Sequence, residues 1–231
     1  MSEPRPTLTA DYQRDWPAYF DSVRNQPPRD TLLRAADGFV GRRLPDAAAS
    51  PIDSMFRIGP SPRLHTALDL ACGEGRDTRE LLRRGDWRVL AVDNSPEGLR
   101  RLAASCPDEP RLAVLLCPME RVPETLSHAA ATFDLINASF ALPFCPETSF
   151  PTLWRWICDS LRTGGRFAGQ LFGDRDEWSS VNPRRHHTRD EVLRLLQGFE
   201  IEHFNEVEKE GADAMGGTKH HHVFHIVARR H

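Results

Sequence analysis

The feature that most constrains the fold is a short apolar run that leads through a glycine-bearing turn into an amphipathic stretch. Residues 66–71 are mostly apolar, the turn from Cys72 to Gly75 contains two glycines, and residues 77–84 have helical spacing and end at Gly85. An apolar run of this length before a turn predicts a buried strand. Strand, turn and helix in succession form the repeating unit of parallel sheets, so we expect an α/β protein.

The same alternation continues along the chain. Further strands are predicted at residues 88–92, 112–116, 133–138 and 166–172, and further helices at 96–105, 150–161 and 188–196. Two extended stretches, 200–208 and 221–228, then follow each other with only a glycine-bearing loop between them, which predicts an antiparallel addition. The expected architecture is a doubly wound, mostly parallel seven-stranded sheet with an antiparallel C-terminal strand, packed as an α/β/α sandwich.

The N-terminal part has a different character from the rest. It is aromatic and charged around Trp16, has a short helix predicted at residues 31–37, and is rich in Pro, Ala, Ser and Asp from 42 to 62. We therefore divide the chain into a helical N-terminal segment with a linker, residues 1–62, and an α/β domain, residues 63–231. An aromatic cluster such as that around Trp16 is expected to be buried, against either a ligand or the core.

Composition excludes several classes of protein. The formal net charge of −3 provides no basic field for DNA or RNA, and no apolar stretch approaches the roughly 20 residues that span a bilayer. The five cysteines are odd in number and form no CxxC pair, which favours a reducing compartment. We expect a cytoplasmic monomer or homodimer that binds neither nucleic acid nor membrane.

The turn after the first strand carries its own chemistry. Glycines let the backbone approach a ligand closely, and the following helix offers free N–H groups. The third glycine of a dinucleotide turn is absent, because Thr78 stands in its place. Asp69 opens the turn with a charge that repels pyrophosphate and pairs with an ammonium. Asp93, at the end of the second strand, can accept hydrogen bonds from both ribose hydroxyls. Together these features indicate a nucleoside with an amino-acid tail.

These residues resemble the S-adenosylmethionine-binding motif of class I methyltransferases, in which an acid opens a glycine-rich turn and a second acid ends strand two. The resemblance covers about residues 67–172 and implies the Rossmann-like methyltransferase fold. Ala71 departs from the glycine of many members, and Thr163 replaces a usual proline before strand five. Within the superfamily the chain is similar to the tellurite-resistance methyltransferase group, on residues 73–78, 137–140 and 219–228.

The resemblance also implies which residues bind S-adenosylmethionine and its product S-adenosylhomocysteine. Asp93 would bind the ribose, Asn94 would lie beside the adenine, and Met119 and Glu120 would flank its edge. The implied cofactor-binding set is Asp69, Ala71, Gly73, Gly75, Asp93, Asn94, Met119, Glu120, Asn137, Ala138, Trp16 and Arg29. Within this set, Trp16 would belong to a lid over the pocket and Arg29 would reach the methionine carboxylate.

Methyl transfer from a sulfonium requires orientation and a dry pocket more than acid–base groups. We predict three catalytic candidates on the same rim, namely Phe140 as an aromatic wall, Asp174 as a substrate contact and His222 as a base or hydrogen-bond donor. Two histidines on one face of a strand lack further ligands, so no metal is predicted.

The expected function is methyl transfer to a small-molecule or metalloid-oxyanion acceptor. Two alternatives stay open on sequence alone: a methyltransferase acting on nucleic acid or protein, and a non-catalytic S-adenosylmethionine-binding protein.

Overall fold

The computed structural model describes residues 16–41, 50–58, 64–130, 132–180, 185–213 and 217–231. Of the N-terminal segment and linker predicted over residues 1–62, positions 1–15, 42–49 and 59–62 lie outside the described residues. The division of the chain at residue 62 stays a prediction.

A mixed sheet forms the centre of the molecule. Its strands are β1 His65–Leu70, β2 Trp87–Asp93, β3 Leu112–Leu116, β4 Phe133–Ala138, β5 Leu161–Gly173, β6 His186–His187, β7 Phe199–Ala212 and β8 Thr218–Arg230. The strand order is β3-β2-β1-β4-β5-β8-β7, with the short β6 paired to β5. Strands β1 to β5 pair in parallel, whereas β8 runs antiparallel to both β5 and β7. The predicted mostly parallel sheet with an antiparallel C-terminal strand is confirmed.

The helices pack on both faces of this sheet. They are α1 Trp16–Val23, α2 Asp30–Asp37, α3 Arg76–Arg84, α4 Pro96–Ser105, α5 Val122–Thr125, α6 Phe150–Ser160 and α7 Arg189–Leu195. Side chains alternate along each strand, so Leu68 and Leu70 belong to one hydrophobic cluster and Ala67 to the other. The first cluster includes α6 residues such as Ile157, and the second includes α2 residues such as Leu32. The result is the expected three-layer sandwich.

The C-terminal strands are longer than their apolar patterns predict. The hairpin runs from Phe199 to Arg230, with β7 ending at Ala212 and β8 beginning at Thr218. Antiparallel pairing continues as long as each residue finds a partner, and here it extends through polar residues to the Ala212–Thr218 pair. This extension carries the hairpin past the carboxyl end of β5, whose last residues pair with β8 at Phe172 and Val223.

Among the described residues, no helix combines the length and the apolar character needed to cross a bilayer.

Candidate active site

The turn after β1 adopts backbone conformations that favour glycine. Ala71, Gly73 and Gly75 have φ angles of 55°, 58° and 81°. A Cβ on Gly75 would lie 2.3 Å from Leu102 Cδ1, and a Cβ on Gly73 would lie 3.0 Å from the Phe20 ring. Only glycine fits at Gly75, since the buried Leu102 closes the space. Ala71 is a non-glycine residue in the left-handed region, which marks a locally strained backbone at the mouth of the turn.

Asp93 fastens this turn to the end of β2. Its Oδ2 accepts a hydrogen bond from Gly73 N at 2.7 Å, and its Oδ1 accepts one from Ser95 N at 2.7 Å. Burial raises the pKa of Asp93, while the backbone N–H donors oppose that effect. Each oxygen retains a further lone pair. The acid at the end of strand two therefore lies directly against the glycine turn and borders the same space.

Beneath the turn, Asn137 bridges two buried carboxyl groups. Its Nδ2 donates to Asp69 Oδ1 at 2.9 Å and to Asp77 Oδ2 at 3.1 Å. Thr78 Oγ1 donates to Asp69 Oδ2 at 2.5 Å. Burial, followed by repulsion from Asp77, raises the pKa of Asp69 to about 7. Thr78 stands where a dinucleotide turn has its third glycine, and its hydroxyl donates a hydrogen bond to Asp69.

A cavity of about 1020 Å³ lies beside this turn at the carboxyl ends of the strands. Ten of the residues predicted for the site line it, namely Asp69, Ala71, Gly73, Asp93, Asn94, Met119, Glu120, Trp16, Arg29 and Phe140. Gly75, Asn137 and Ala138 do not line it. Gly75 instead begins α3, Asn137 is the bridge below the turn, and Ala138 is packed in the core. Carboxyl ends of parallel strands at a reversal of strand order are the usual ligand position in such sheets.

The predicted catalytic residues His222 and Asp174 lie outside the cavity, which corrects the sequence interpretation. His222 is fully buried, and its Nε2 lies 3.0 Å from Glu206 Oε1. Its Nδ1 accepts a hydrogen bond from Arg175 N at 3.2 Å and lies 3.5 Å from Asp174 Oδ1. Successive residues of a strand point to opposite faces, and the cavity face of β8 carries the odd-numbered residues.

The sequence interpretation therefore missed His225, which does line the cavity. Its ring meets Phe140 edge-on at 6.1 Å. Burial, followed by the charge of Arg29, lowers the pKa of His225, so the imidazole is neutral near pH 7. The sequence predicts that side chains alternate between the two faces of β8, which places His221 and His225 on the face opposite to His222. It does not indicate which of the two faces borders the cavity.

Phe140 is held in place by its backbone. Its φ angle is 52°, and its N–H donates to Gln170 Oε1 at 2.9 Å. Gln170 in turn donates to Thr31 Oγ1 at 2.8 Å, which ties the loop after β4 to α2. The Arg29 guanidinium lies 4.4 Å from the centre of the Phe140 ring. This ring is consequently a fixed wall between the strand ends and the hairpin.

Arg29 brings a half-buried cation to the cavity. Burial, followed by the nearby Arg76, lowers the pKa of Arg29. Its backbone N–H donates to Asp77 Oδ1 at 3.0 Å, and its Nε is buried without a hydrogen-bond partner among the described residues. A half-buried guanidinium with a free donor is a binding element for a carboxylate.

Helix α1 covers the cavity with aromatic side chains. The Trp16 ring stacks on Phe20 at 6.3 Å and meets Phe144 edge-on at 5.8 Å. Phe20 is buried against the turn at Gly73 and against Gly98. Phe20 is thus buried as predicted, whereas Trp16 is only half-buried, and together they cover the turn and the loop after β4.

Two parts of the cavity can be distinguished by their place in the sheet. The strand-end part is formed after β1, β2 and β3 by Asp69, Gly73, Asp93, Asn94, Met119 and Glu120. The hairpin part is formed by Phe172, Trp178, Lys209, Lys219, His221 and His225. Strands β3 and β7 are at opposite ends of the strand order, so the two parts lie on either side of the β1–β4 centre. Among the described residues no three His, Cys, Asp or Glu side chains converge as metal ligands.

Comparison with known proteins finds one family whose model matches part of the chain. Residues 67–165 match the protein family described as a methyltransferase domain. The sequence matches no curated protein significantly. TehB from Haemophilus influenzae has a similar structure, with a TM-score of 0.60 and 18% identity over 73% of this chain and 58% of TehB. The chain thus spans less than two thirds of the length of TehB.

Two further solved structures share the fold over most of their length. An S-adenosylmethionine-dependent methyltransferase from Mesorhizobium loti has a TM-score of 0.55 and 21% identity, over 72% of this chain and 91% of its own. The 1,6-didemethyltoxoflavin-N1-methyltransferase of Burkholderia thailandensis was solved with bound 1,6-didemethyltoxoflavin and S-adenosylhomocysteine. Its TM-score is 0.53 and its identity 22%, over 100% of this chain and 93% of its own. Residues 67–165 therefore match a methyltransferase domain, and the chain shares the fold of S-adenosylmethionine-dependent methyltransferases.

Proposed function

We propose that this protein transfers a methyl group from S-adenosylmethionine to a small organic acceptor held in the hairpin part of the cavity. The observation that carries the proposal is the single cavity lined by both the strand-end part and the hairpin part. A donor in the first part and an acceptor in the second would share one water-poor space under α1. Proximity and orientation in such a space supply most of what methyl transfer requires.

The described residues of the strand-end part fit the proposed donor. The space beside Gly73 and Gly75 is one that a Cβ would partly fill, which suits close approach of a nucleoside. We propose that Asp93 accepts hydrogen bonds from the ribose hydroxyls, that Asn94, Met119 and Glu120 surround the adenine, and that Arg29 Nε donates to the methionine carboxylate. Asp69 and Asp77 are acidic side chains that line the cavity near the proposed amino-acid end.

When bound, S-adenosylmethionine supplies a methyl group already activated on a sulfonium. The chain then has to orient the acceptor, exclude water and take up a proton where the acceptor loses one. Phe140 forms the fixed wall at the middle of the cavity, and Trp16 on α1 excludes water from above. We propose His225, in place of His222, as the proton acceptor, because its neutral imidazole borders the cavity beside Phe140.

The size and lining of the cavity favour an organic acceptor over a metalloid oxyanion. About 1020 Å³ exceeds what a donor of nucleoside size needs. Phe144 and the hairpin-part residues Phe172 and Trp178 add apolar faces, which would not compensate a small ion for its lost hydration. The Burkholderia thailandensis relative, which was solved with a small heteroaromatic molecule and S-adenosylhomocysteine, supports the same acceptor class.

The test is methyl transfer itself. Purified protein is incubated with S-adenosylmethionine labelled on the methyl carbon and with panels of small organic acceptors, selenite and tellurite, and bulk RNA, DNA and protein. We expect label in a small organic product and none in macromolecules or volatile metalloid species. Labelled nucleic acid or protein, or labelled metalloid alone, would overturn the proposed acceptor class. Binding of S-adenosylhomocysteine without transfer to any acceptor would favour a non-catalytic binding protein.

A further inference from the structure

Lysine is rare in this chain and is confined to one place. Of the 30 lysine and arginine residues, only Lys209 and Lys219 are lysines. Lys209 lies on β7 and Lys219 on β8, and both line the hairpin part of the cavity. Lysine presents a compact charge on a flexible stem, whereas arginine presents a planar fork. All the other residues of these two types are arginines, so the compact ammonium charges of lysine occur only where the proposed acceptor lies.

Charge is also segregated along the cavity. The strand-end part is bordered by five acids, namely Asp69, Glu74, Asp77, Asp93 and Glu120, against the two cations Arg29 and Arg76. The hairpin part has two lysines and two histidines facing a single acid, Asp213. Asp213 Oδ1 accepts a hydrogen bond from Gly217 N at 2.9 Å, which closes the hairpin turn. The acidic part suits a cationic donor, and the basic part suits an anion.

Lys219 is a fixed cation within aromatic surroundings. It is buried, its ammonium pairs with the buried carboxylate of Asp176, and its Nζ lies 3.8 Å from the centre of the Trp178 ring. The Phe172 ring lies 5.0 Å from the same nitrogen. The pair with Asp176 neutralises most of this charge. Lys219 therefore shapes the aromatic wall more than it attracts a ligand.

Lys209 is the cation with freedom to meet a ligand. It is exposed, pairs with no carboxylate among the described residues, and lies directly opposite His221 across the β7–β8 pair. On the same face of β8, His221 and His225 lead inward along the cavity toward Phe140. A ligand anchored by its anionic group at Lys209 would thus point its far end to the middle of the cavity.

We propose that the acceptor is a planar aromatic or heteroaromatic carboxylate, with its carboxylate at Lys209 and its ring against the side chains of Phe140, Phe172 and Trp178. This inference rests on the proposed function. The aromatic side chains favour a flat ring by stacking and edge-on contact. The ammonium of Lys209 would pair with the carboxylate of such a ligand, whereas a neutral ligand would leave it unpaired.

The first experiment separates this inference from the proposed function. Protein is titrated calorimetrically with S-adenosylhomocysteine, and the loaded protein is then titrated with matched carboxylate and carboxamide pairs. The pairs include 4-hydroxybenzoate with 4-hydroxybenzamide and quinoline-2-carboxylate with quinoline-2-carboxamide. We expect carboxylates to bind at least ten-fold more tightly than their amides. Failure of S-adenosylhomocysteine to bind would overturn the proposed function. Cofactor binding with equal, reversed or no affinity within the pairs would overturn only the acceptor class.

The second experiment assigns the carboxylate to Lys209. Lys209→Gln should lower the affinity of the tightest carboxylate at least five-fold, abolish its advantage over the amide, and leave S-adenosylhomocysteine affinity unchanged. Arg175→Gln is the matched control. It removes one positive charge that lies beside the hairpin and outside the cavity, where Arg175 pairs with Glu206 and Glu208. An equal loss in both variants would contradict the assignment.

Lysine labelling gives an independent readout, because only two side-chain amines exist in the chain. With S-adenosylhomocysteine present, the carboxylate should slow acetylation of Lys209 by an N-hydroxysuccinimide ester at least three-fold, as measured by peptide mass spectrometry. Unchanged labelling of Lys209 at a saturating carboxylate concentration would overturn the inference.

Discussion

At the scale of single residues, the most unusual group is the carboxyl of Asp69. It is buried, shares Asn137 with Asp77, and has a pKa raised to about 7. An unfolded Asp ionises near pH 4, so between about pH 4 and 7 the folded protein holds a proton that the unfolded chain releases. The stabilising contribution is complete below pH 4 and is lost as the pH rises through 7.

Asp69→Asn should therefore flatten the pH dependence of stability. The amide keeps the shape and can accept from Asn137 while Thr78 Oγ1 turns to accept, and it carries no charge to desolvate. We expect the free energy of unfolding of the variant, relative to the parent, to rise by about 2–4 kcal/mol between pH 4 and pH 8. Urea unfolding across this range measures the difference, and parallel curves for the two proteins would contradict the raised pKa.

The two histidines of β8 offer a second prediction at this scale. Once an acceptor that loses a proton is identified, His225→Gln should lower kcat at least ten-fold and leave the Kd of S-adenosylhomocysteine unchanged, because a proton acceptor acts only in transfer.

His222→Gln is the matched control, since His222 lies on the opposite face against Glu206 and Arg175. It should reduce stability and leave kcat within two-fold. A large loss of kcat in His222→Gln with none in His225→Gln would restore the sequence-based assignment.

At the scale of elements, the glycine turn joins β1, α3 and α4. Gly75→Ala should be costly, because it combines a φ of 81° with a Cβ 2.3 Å from the buried Leu102 of α4. We expect a loss of about 2–4 kcal/mol in unfolding free energy, from left-handed strain and overpacking together.

Gly85→Ala separates these two contributions. Gly85 ends α3 with a φ of 90° and has no atom within 4 Å of an added Cβ. Its substitution should cost about 1–2 kcal/mol from backbone strain alone. Urea unfolding measures both variants. Equal losses of unfolding free energy at the two glycines would show that the Leu102 side chain moves aside and that overpacking at Gly75 costs nothing.

The elements also show what a sequence can and cannot predict here. Strands β1 to β4 are apolar runs bounded by turns, and their positions follow from the hydrophobic pattern alone. The length of the β7–β8 hairpin does not, because its outer residues are polar and are held by cross-strand pairing. The choice between His222 and His225 depends on which hairpin face meets the cavity, which is a tertiary property.

At the scale of the whole molecule, the strand-end part of the cavity was predictable because its residues are close together in the sequence. Asp69, Gly73 and Asp93 lie on two adjacent strands and one turn, so their spacing along the chain determines their meeting. The hairpin part brings together Phe172, Lys209 and His225 from distant positions, and their meeting depends on the strand order. A family match over residues 67–165 leaves the hairpin outside it.

Ligand linkage provides a prediction for the molecule as a unit. A ligand that binds only the folded state stabilises it by about 2.7 kcal/mol at one hundred times its Kd. We expect S-adenosylhomocysteine to raise the Tm by several degrees and NAD to leave it unchanged, since Asp69 and Thr78 disfavour a pyrophosphate. Differential scanning calorimetry measures both, and stabilisation by NAD alone would contradict the assignment of the turn.

We propose that donor binding in the strand-end part depends on Asp93. Calorimetric titration with S-adenosylhomocysteine tests it on the parent, on Asp93→Ala and on Asp134→Asn. Asp134 is a buried acid whose Oδ2 accepts from Thr66 N at 2.7 Å and which does not line the cavity, so it controls for general loss of a buried carboxylate. We predict that Asp93→Ala weakens binding at least thirty-fold, equivalent to about 2 kcal/mol, while Asp134→Asn stays within three-fold of the parent. If Asp93→Ala binds S-adenosylhomocysteine as tightly as the parent, the role proposed for Asp93 is wrong.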